Sequence, residues 1–265
     1  MNKYILLSAI SALLMTACVS RHEIIVGKDS NGKEIVQEIG YIDKEKASIA
    51  RAKLAVNQIN EGRITDAKKN LEIASDYDGS SEYVYLAWSY YYQSVKDEKN
   101  AVSWYEKTIS LFPESGTGHT NYGSYLCALG RHEEAEEHFL KAVAIPSYSD
   151  MSRTYEEAAV CAYQYKKVDK AKIYFERAMD YGGTSPSLLY SYAKFSYLNN
   201  DFEKADSLMI LFDKQVYKDN PAALLLKIKI ATALGQYATA EIFGRKLLHK
   251  FPNSTEAKQY KKGEY

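Results

Sequence analysis

The feature that most constrains this chain is a repeat. Ala67, Ala101, Ala135, Ala171, Ala205 and Ala240 recur at intervals of 34, 34, 36, 34 and 35 residues. Four residues after each alanine stand Leu71, Tyr105, Phe139, Phe175, Met209 and Gly244; seven after each stand Ala74, Thr108, Ala142, Ala178, Phe212 and Leu247. Offsets of this kind lie on one face of an α-helix. A helical unit this short cannot bury its apolar face alone, so successive units must stack on one another. The chain is thereby confined to a stack of helical units, with a core that is continued from each unit to the next.

The punctuation of the repeat places two helices in each period. All five prolines (Pro113, Pro146, Pro186, Pro221 and Pro252) fall at junctions between units and none inside an expected helix. Gly62, Gly130 and Gly235 share position 15 of their units, where a first helix must stop and turn. Small residues recur as Ala55, Gly123, Ala159 and Ala193, where paired helices cross closely. This pattern resembles the tetratricopeptide repeat, with units beginning at Ser48, Glu82, Gly116, Ser152, Pro186 and Pro221. The fold expected is an all-α, right-handed superhelix of about six helix-turn-helix repeats over residues 48–265. Lys227, Ile228 and Gly244 depart from the repeat pattern, as suits a terminal, capping sixth repeat. The 24 tyrosines are then largely core, because positions 4, 7 and 11 need large residues.

The N-terminus reads as an address. Lys3 precedes an apolar run from Tyr4 to Met15, too short to cross a bilayer core. Met15-Thr16-Ala17-Cys18 resembles the bacterial lipobox, with Met15 where leucine is usual. That resemblance implies a signal peptide over 1–17, lipidation of Cys18, and, because Val19 is not aspartate, sorting to the periplasmic face of the outer membrane. Residues 18–47 are expected to be a tether with at most transient strand structure, although Asn31-Gly32 is a hairpin-turn signal between Ile- and Val-containing runs.

Chemistry is scarce. Lys+Arg 34 against Asp+Glu 34 gives no net charge, which argues against a nucleic-acid binder. Tyr90-Tyr91-Tyr92, with Tyr83 and Tyr85, would suit base stacking, but a periplasmic address opposes that use. No metalloprotease, phosphate-loop or serine-hydrolase motif occurs, so no enzyme and no cofactor is expected. His119, His132 and His138 are near in sequence, but His132 and His138 do not share a helical face and stand among Glu133, Glu134, Glu136 and Glu137. A solvated helix surface accounts for them, and no metal is expected.

A narrower resemblance lies mid-chain. Asn121-Tyr122-Gly123, Leu126-Cys127, Gly130-Arg131-His132-Glu133-Glu134-Ala135, a lengthened junction at Ile145-Pro146-Ser147-Tyr148, and Tyr155-Glu156-Glu157-Ala158 before Cys161 follow one another. This string resembles the PilF/PilW family of type IV pilus biogenesis lipoproteins. The resemblance implies a pilotin, which localises the outer-membrane secretin of the pilus and supports its multimers. Another outer-membrane repeat lipoprotein, such as an outer-membrane protein assembly factor or an adaptor for cell-wall hydrolases, is the competing reading. Cys127 and Cys161 fall on first helices of adjacent repeats, which permits a disulfide in an oxidising compartment; the alternative is two small buried residues. In tetratricopeptide repeats positions 2, 5, 9 and 12 of first helices build the concave face. The partner-binding groove is accordingly expected at Ile49, Ala52, Val56, Ile59, Tyr83, Leu86 and Tyr90, with charge entering later through Arg153, Glu156, Lys194 and Lys229. The N-terminal segment 19–45 could instead fold back over this stripe.

Overall fold

A computed structural model of the chain describes residues 22–28, 34–40 and 43–265. The expected signal peptide and Cys18 lie outside the described residues. Strands β1 (His22–Lys28) and β2 (Glu34–Gly40) pair antiparallel, with Val26 opposite Val36 and Lys28 opposite Glu34. This corrects the expectation of a tether with at most transient strand. The β-branched runs on either side of Asn31-Gly32 pair along seven residues each.

The repeats follow. The first holds α1 (Lys44–Asn60) and α2 (Ile64–Asp78), and the second α3 (Glu82–Ser94) and α4 (Glu98–Leu111). The third holds α5 (Gly116–Ala128) and α6 (His132–Ala144), and the fourth α7 (Met151–Gln164) and α8 (Val168–Asp180). The fifth holds α9 (Pro186–Leu198) and α10 (Phe202–Gln215), and the sixth α11 (Pro221–Ala233) and α12 (Tyr237–Lys250). The pairs stack in order into a tetratricopeptide solenoid, the fold the repeat implied. Helix α1 starts at Lys44, four residues ahead of the first repeat, because the Asp43 carboxylate caps it by accepting from the Lys46 N–H at 3.1 Å. Pro186 and Pro221 open α9 and α11, where a missing N–H costs nothing.

What brings the two helices of a repeat together is an alanine at position 20 facing a small residue at position 8. Ala67, Ala101, Ala135, Ala171 and Ala205 are completely buried, as are Ala55, Ser89, Ala159 and Ala193. The fit leaves no slack: a Cβ added at Gly123 would lie 2.9 Å from the Phe139 ring and 3.0 Å from the Ala135 carbonyl oxygen. Position 24 supplies the large partner through Leu71, Tyr105, Phe139, Phe175 and Met209.

The sixth repeat exchanges these roles. Ile228 is large and fully buried at position 8, and Gly244 is small at position 24. A further helix, α13 (Thr255–Lys262), supplies the reason. Its Tyr260 ring occupies the space beside Gly244, within 2.1 Å of where a Cβ would be. The sixth repeat is therefore not the cap expected from its irregular residues. α13 is the cap, and it covers α11, whose residues from Ala223 to Ile228 are all buried. Lys227 reaches out of that apolar run to the Asp213 carboxylate, with its ammonium 5.3 Å from the Phe243 ring centre.

The turn between paired helices is the same in all six repeats. Position 15 has positive φ throughout: Gly62 at 76°, Gly130 at 88° and Gly235 at 72°, but also Lys96 at 60°, Lys166 at 60° and Asn200 at 63°. Left-handed backbone strains an L-residue with a long side chain more than it strains glycine or asparagine. We expect Lys96→Gly to raise stability by about 0.5–1 kcal/mol, Asn200→Gly to raise it less, and Gly62→Ala to lower it by about 1 kcal/mol. Urea denaturation followed by helical circular dichroism measures all three.

Candidate interaction groove

First helices line the concave side, and repeats one to four open there into a groove of about 370 Å³. Val56 of α1 and Tyr83, Leu86 and Tyr90 of α3 form its apolar end, each half-buried. Ala52 and Ile59 are not groove residues. They are 0% and 7% exposed and belong to the core with Leu71 and Trp88, because α1 turns positions 5 and 12 against its neighbours. Ile49 is half-buried but lies outside the groove lining. Gln93, position 12 of the second repeat and so a concave-face position, lines the groove, whereas sequence reasoning missed Asn60 and Asn121, which complete its polar margin. The positions of Asn60 and Asn121 carry no repeat signal, so only the fold places them.

Hydrogen bonds fix the groove walls. The Tyr90 hydroxyl donates to Asn60 Oδ1 at 2.6 Å, tying α3 to α1. The Tyr105 hydroxyl donates to Gln93 Oε1 at 2.8 Å, and its ring stacks on Tyr122 with centres 5.2 Å apart. Burial pushes the Tyr105 phenol well above the usual tyrosine range, so it stays a donor. Lys53 sits 5.8 Å from the Tyr83 ring centre. Toward repeat four the lining becomes charged: Arg153 donates to Asn121 Oδ1 at 3.1 Å, and Ser124 donates to Glu157 at 3.2 Å. Burial raises the Glu156 carboxyl, against the hydrogen bonds it accepts from Ser187 at 2.6 Å and Ser191 at 3.3 Å.

The tyrosine cluster divides between core and groove. Tyr92 stacks on Trp88 and Trp104, which stack on each other at 5.6 Å, and Tyr91 meets Trp88 edge-on. Tyr85 packs on Trp104 and Phe112. Tyr83 and Tyr90 alone of these five line the groove.

Repeats three and four are held together at both ends of their contact. The lengthened junction lays the Tyr148 ring over Gly116, where a Cβ would come within 2.3 Å of it. Its hydroxyl joins the buried Thr120 and Thr154 hydroxyls at 3.1 and 3.0 Å, and those two lie 2.7 Å apart. At the other end Cys127 and Cys161 form a disulfide, with Cα atoms 5.9 Å apart. The Tyr165 hydroxyl donates to the Cys127 carbonyl at 3.0 Å. The bond links residues 34 apart, and such cross-links stabilise by about 2–4 kcal/mol. We expect no thiol labelling of the unreduced, denatured body at these cysteines, and a loss of that order in Cys127→Ala/Cys161→Ala. Two reactive thiols would reject the bond.

Among the described residues, no group of three metal-binding side chains converges, and the histidines have other neighbours. His132 stacks on Tyr165 at 4.3 Å. His119 and His138 meet through their Nδ1 atoms at 2.9 Å, and His119 Nε2 lies 3.3 Å from the Pro113 carbonyl oxygen. The arrangement satisfies two neutral rings, with His138 donating to His119 and His119 donating to Pro113. Burial, then His119, then Lys141 push His138 down to about 4, against Glu137 and Glu134; burial also lowers His119. The unfolded chain therefore takes up protons near pH 6.5, while the folded chain resists until about 4. Stability falls as pH drops through that window and is unaffected by this pair above it. Thermal melts between pH 6.5 and 5 should show a falling midpoint, and His138→Gln should flatten the fall.

The site is thus a concave, partly apolar groove on a repeat scaffold, without a catalytic constellation among the described residues. No family model matches the chain. It is 28% identical over 217 residues to the type IV pilus assembly protein PilF of Pseudomonas aeruginosa, covering 82% of this chain and 86% of that one. The crystal structure of PilW, a widely conserved type IV pilus biogenesis factor, matches with a TM-score of 0.70 and 26% identity, over 80% of this chain and 97% of that one. The structure of Pseudomonas aeruginosa PilF matches with a TM-score of 0.67 and 27% identity, over 83% and 99%. The chain is homologous to PilF and is a tetratricopeptide repeat protein of the PilF/PilW kind.

Proposed function

We propose that this chain is a type IV pilus biogenesis protein that works as a pilotin. In this reading residues 1–17 are removed, lipidated Cys18 anchors the chain to the periplasmic face of the outer membrane, and residues 18–47 connect the anchor to the repeats. No described helix is long and apolar enough to cross a membrane; in this reading the lipid on Cys18 is the anchor. Acyl chains supply about 0.8 kcal/mol per buried methylene. The repeats act as a scaffold, not an enzyme, on the pilus secretin, with no nucleic acid and no small-molecule substrate.

One observation carries the binding role. Val56, Tyr83, Leu86 and Tyr90 leave an apolar patch open to solvent inside a groove whose walls are locked by hydrogen bonds. An apolar segment of a partner needs such a surface, and a rigid one binds at a lower ordering cost. Relationship to PilF and PilW is what attaches the groove to a pilus component.

Two experiments test the reading. Cys18→Ser should leave the protein in the periplasm or inner membrane, and unchanged outer-membrane fractionation would refute the anchor. Val56→Asp or Tyr90→Ala should abolish secretin multimers while porin levels, helical circular dichroism and melting temperature stay near normal. Normal multimers in both variants would remove the groove from the mechanism. Loss of porins would point to an assembly factor instead.

A further inference from the structure

The concave face opens a second time beyond repeat four. A cavity of about 780 Å³ lies between α7, the start of α8 and α9, with Val160, Tyr163, Val168, Tyr190, Phe195 and Leu198 around it. Leu198 is 49% exposed and Val168 38%, which is unusual for apolar side chains lining one hollow. The wall is firm, because the Tyr163 ring meets Phe195 edge-on at 5.1 Å and Phe195 is itself buried. Two cations, Lys166 and Lys194, share the lining and no acid does. The lining of the first groove, by contrast, holds both a cation, Arg153, and an acid, Glu157.

Lys194 occupies position 9 of the fifth repeat, and Lys229 the same position of the sixth. Among the described residues neither these two nor Lys166 has an ion-pair partner. Two acids stand at its margin: Glu156, which accepts from the lining Ser191 at 3.3 Å, and Glu256 of α13, close enough to act on the Tyr190 phenol. Cations over an apolar floor complement a ligand that is apolar at its centre and negative beside it. Packed helices lie about 8–10 Å apart. An extended chain advances about 3.3 Å per residue. Equivalent lysines on consecutive first helices therefore match carboxylates about three residues apart. A chain terminus offers one such charge, whereas side chains within a segment offer the series.

We propose that this half of the groove binds an extended internal segment of a partner protein, in which an apolar side chain is flanked by acidic side chains about three residues apart. The site is distinct from the patch of Val56, Tyr83, Leu86 and Tyr90, and the proposal does not rest on the pilus reading. Fluorescence anisotropy tests it with the full chain in detergent and short labelled Gly/Ser peptides carrying a central leucine with two flanking aspartates. Matched peptides replace both aspartates by asparagine, both by lysine, or the leucine by serine.

The acidic, leucine-containing peptide should bind about tenfold more tightly than the asparagine and serine versions, and more weakly as salt rises. Lys194→Glu/Lys229→Glu should lose it by a similar factor and gain the lysine peptide, with unchanged helical circular dichroism. Leu198→Ser should weaken it without changing the salt dependence. Equal affinity for the aspartate and asparagine peptides would overturn the proposal, as would indifference to the double charge reversal. Failure of every peptide to bind a folded chain would do the same. Tighter binding of a peptide spanning residues 19–42 would give the site to the chain's own N-terminal segment and likewise defeat a partner.

Discussion

The whole solenoid rests on one close approach, the crossing of paired helices through a small residue at position 8 and an alanine at position 20. With position 8 no larger than serine and position 20 a methyl in the first five repeats, the backbones come near enough for a large residue at position 24 to fill what remains. Phe139 beside Gly123 and Ala135 is the tightest instance, with no room for another methyl group. Close packing of this kind makes each unit rigid. Rigidity propagates because each unit presents its remaining apolar face to the next. The groove exists as a surface, not a collapsed seam, because the crossing fixes the positions of the first helices before any groove residue is specified.

The sixth repeat shows the rule by inverting it. Ile228 and Gly244 conserve the pair's volume with the large residue on the other helix. The exchange opens a notch on α12 that receives Tyr260 of α13, so the stack ends by docking a short helix into its last crossing. α13 was hard to read because it buries a single small residue, Ala257, and carries charge elsewhere. A lone alanine has no periodicity, and the signal lay instead in the apparent flaw at Gly244.

Other features divide between legible and hidden along the same line. The repeat period, the helix pairs and the proline junctions were open to reading because burial imposes them on every unit. Position 15 was half legible: glycine announces the left-handed turn in three repeats, but Lys96, Lys166 and Asn200 adopt it under tertiary constraint without a sequence mark. The groove was readable on α3, as Tyr83, Leu86 and Tyr90, but on α1 only at Val56: Ile49 lies outside the lining, and Ala52 and Ile59 are core. Helix α1 carries no preceding repeat, and its positions 5 and 12 turn into the core it shares with α2 and α3. The N-terminal hairpin depended on whether two paired runs would form strands at all, which pattern alone does not decide.

Two chemically different halves of the concave face meet at repeat four, whose α7 lines both, and the contact between repeats three and four holds α7 in place. A threonine–tyrosine hydroxyl cluster closes one end of that contact and the disulfide the other, so the two repeats bend as one body. In one the lining is aromatic and aliphatic with charges of both signs at its margin. In the other it is apolar beneath unmatched lysines. A scaffold that only needed to be sticky would gain nothing from two chemistries on one continuous face. Rigid coupling at the boundary sets the distance between the halves, and two segments engaged at a fixed spacing reinforce one another through effective concentration without any added contact. The lengthened junction and its paired cysteines, the most individual part of this sequence, thus stand where fixing that spacing requires them.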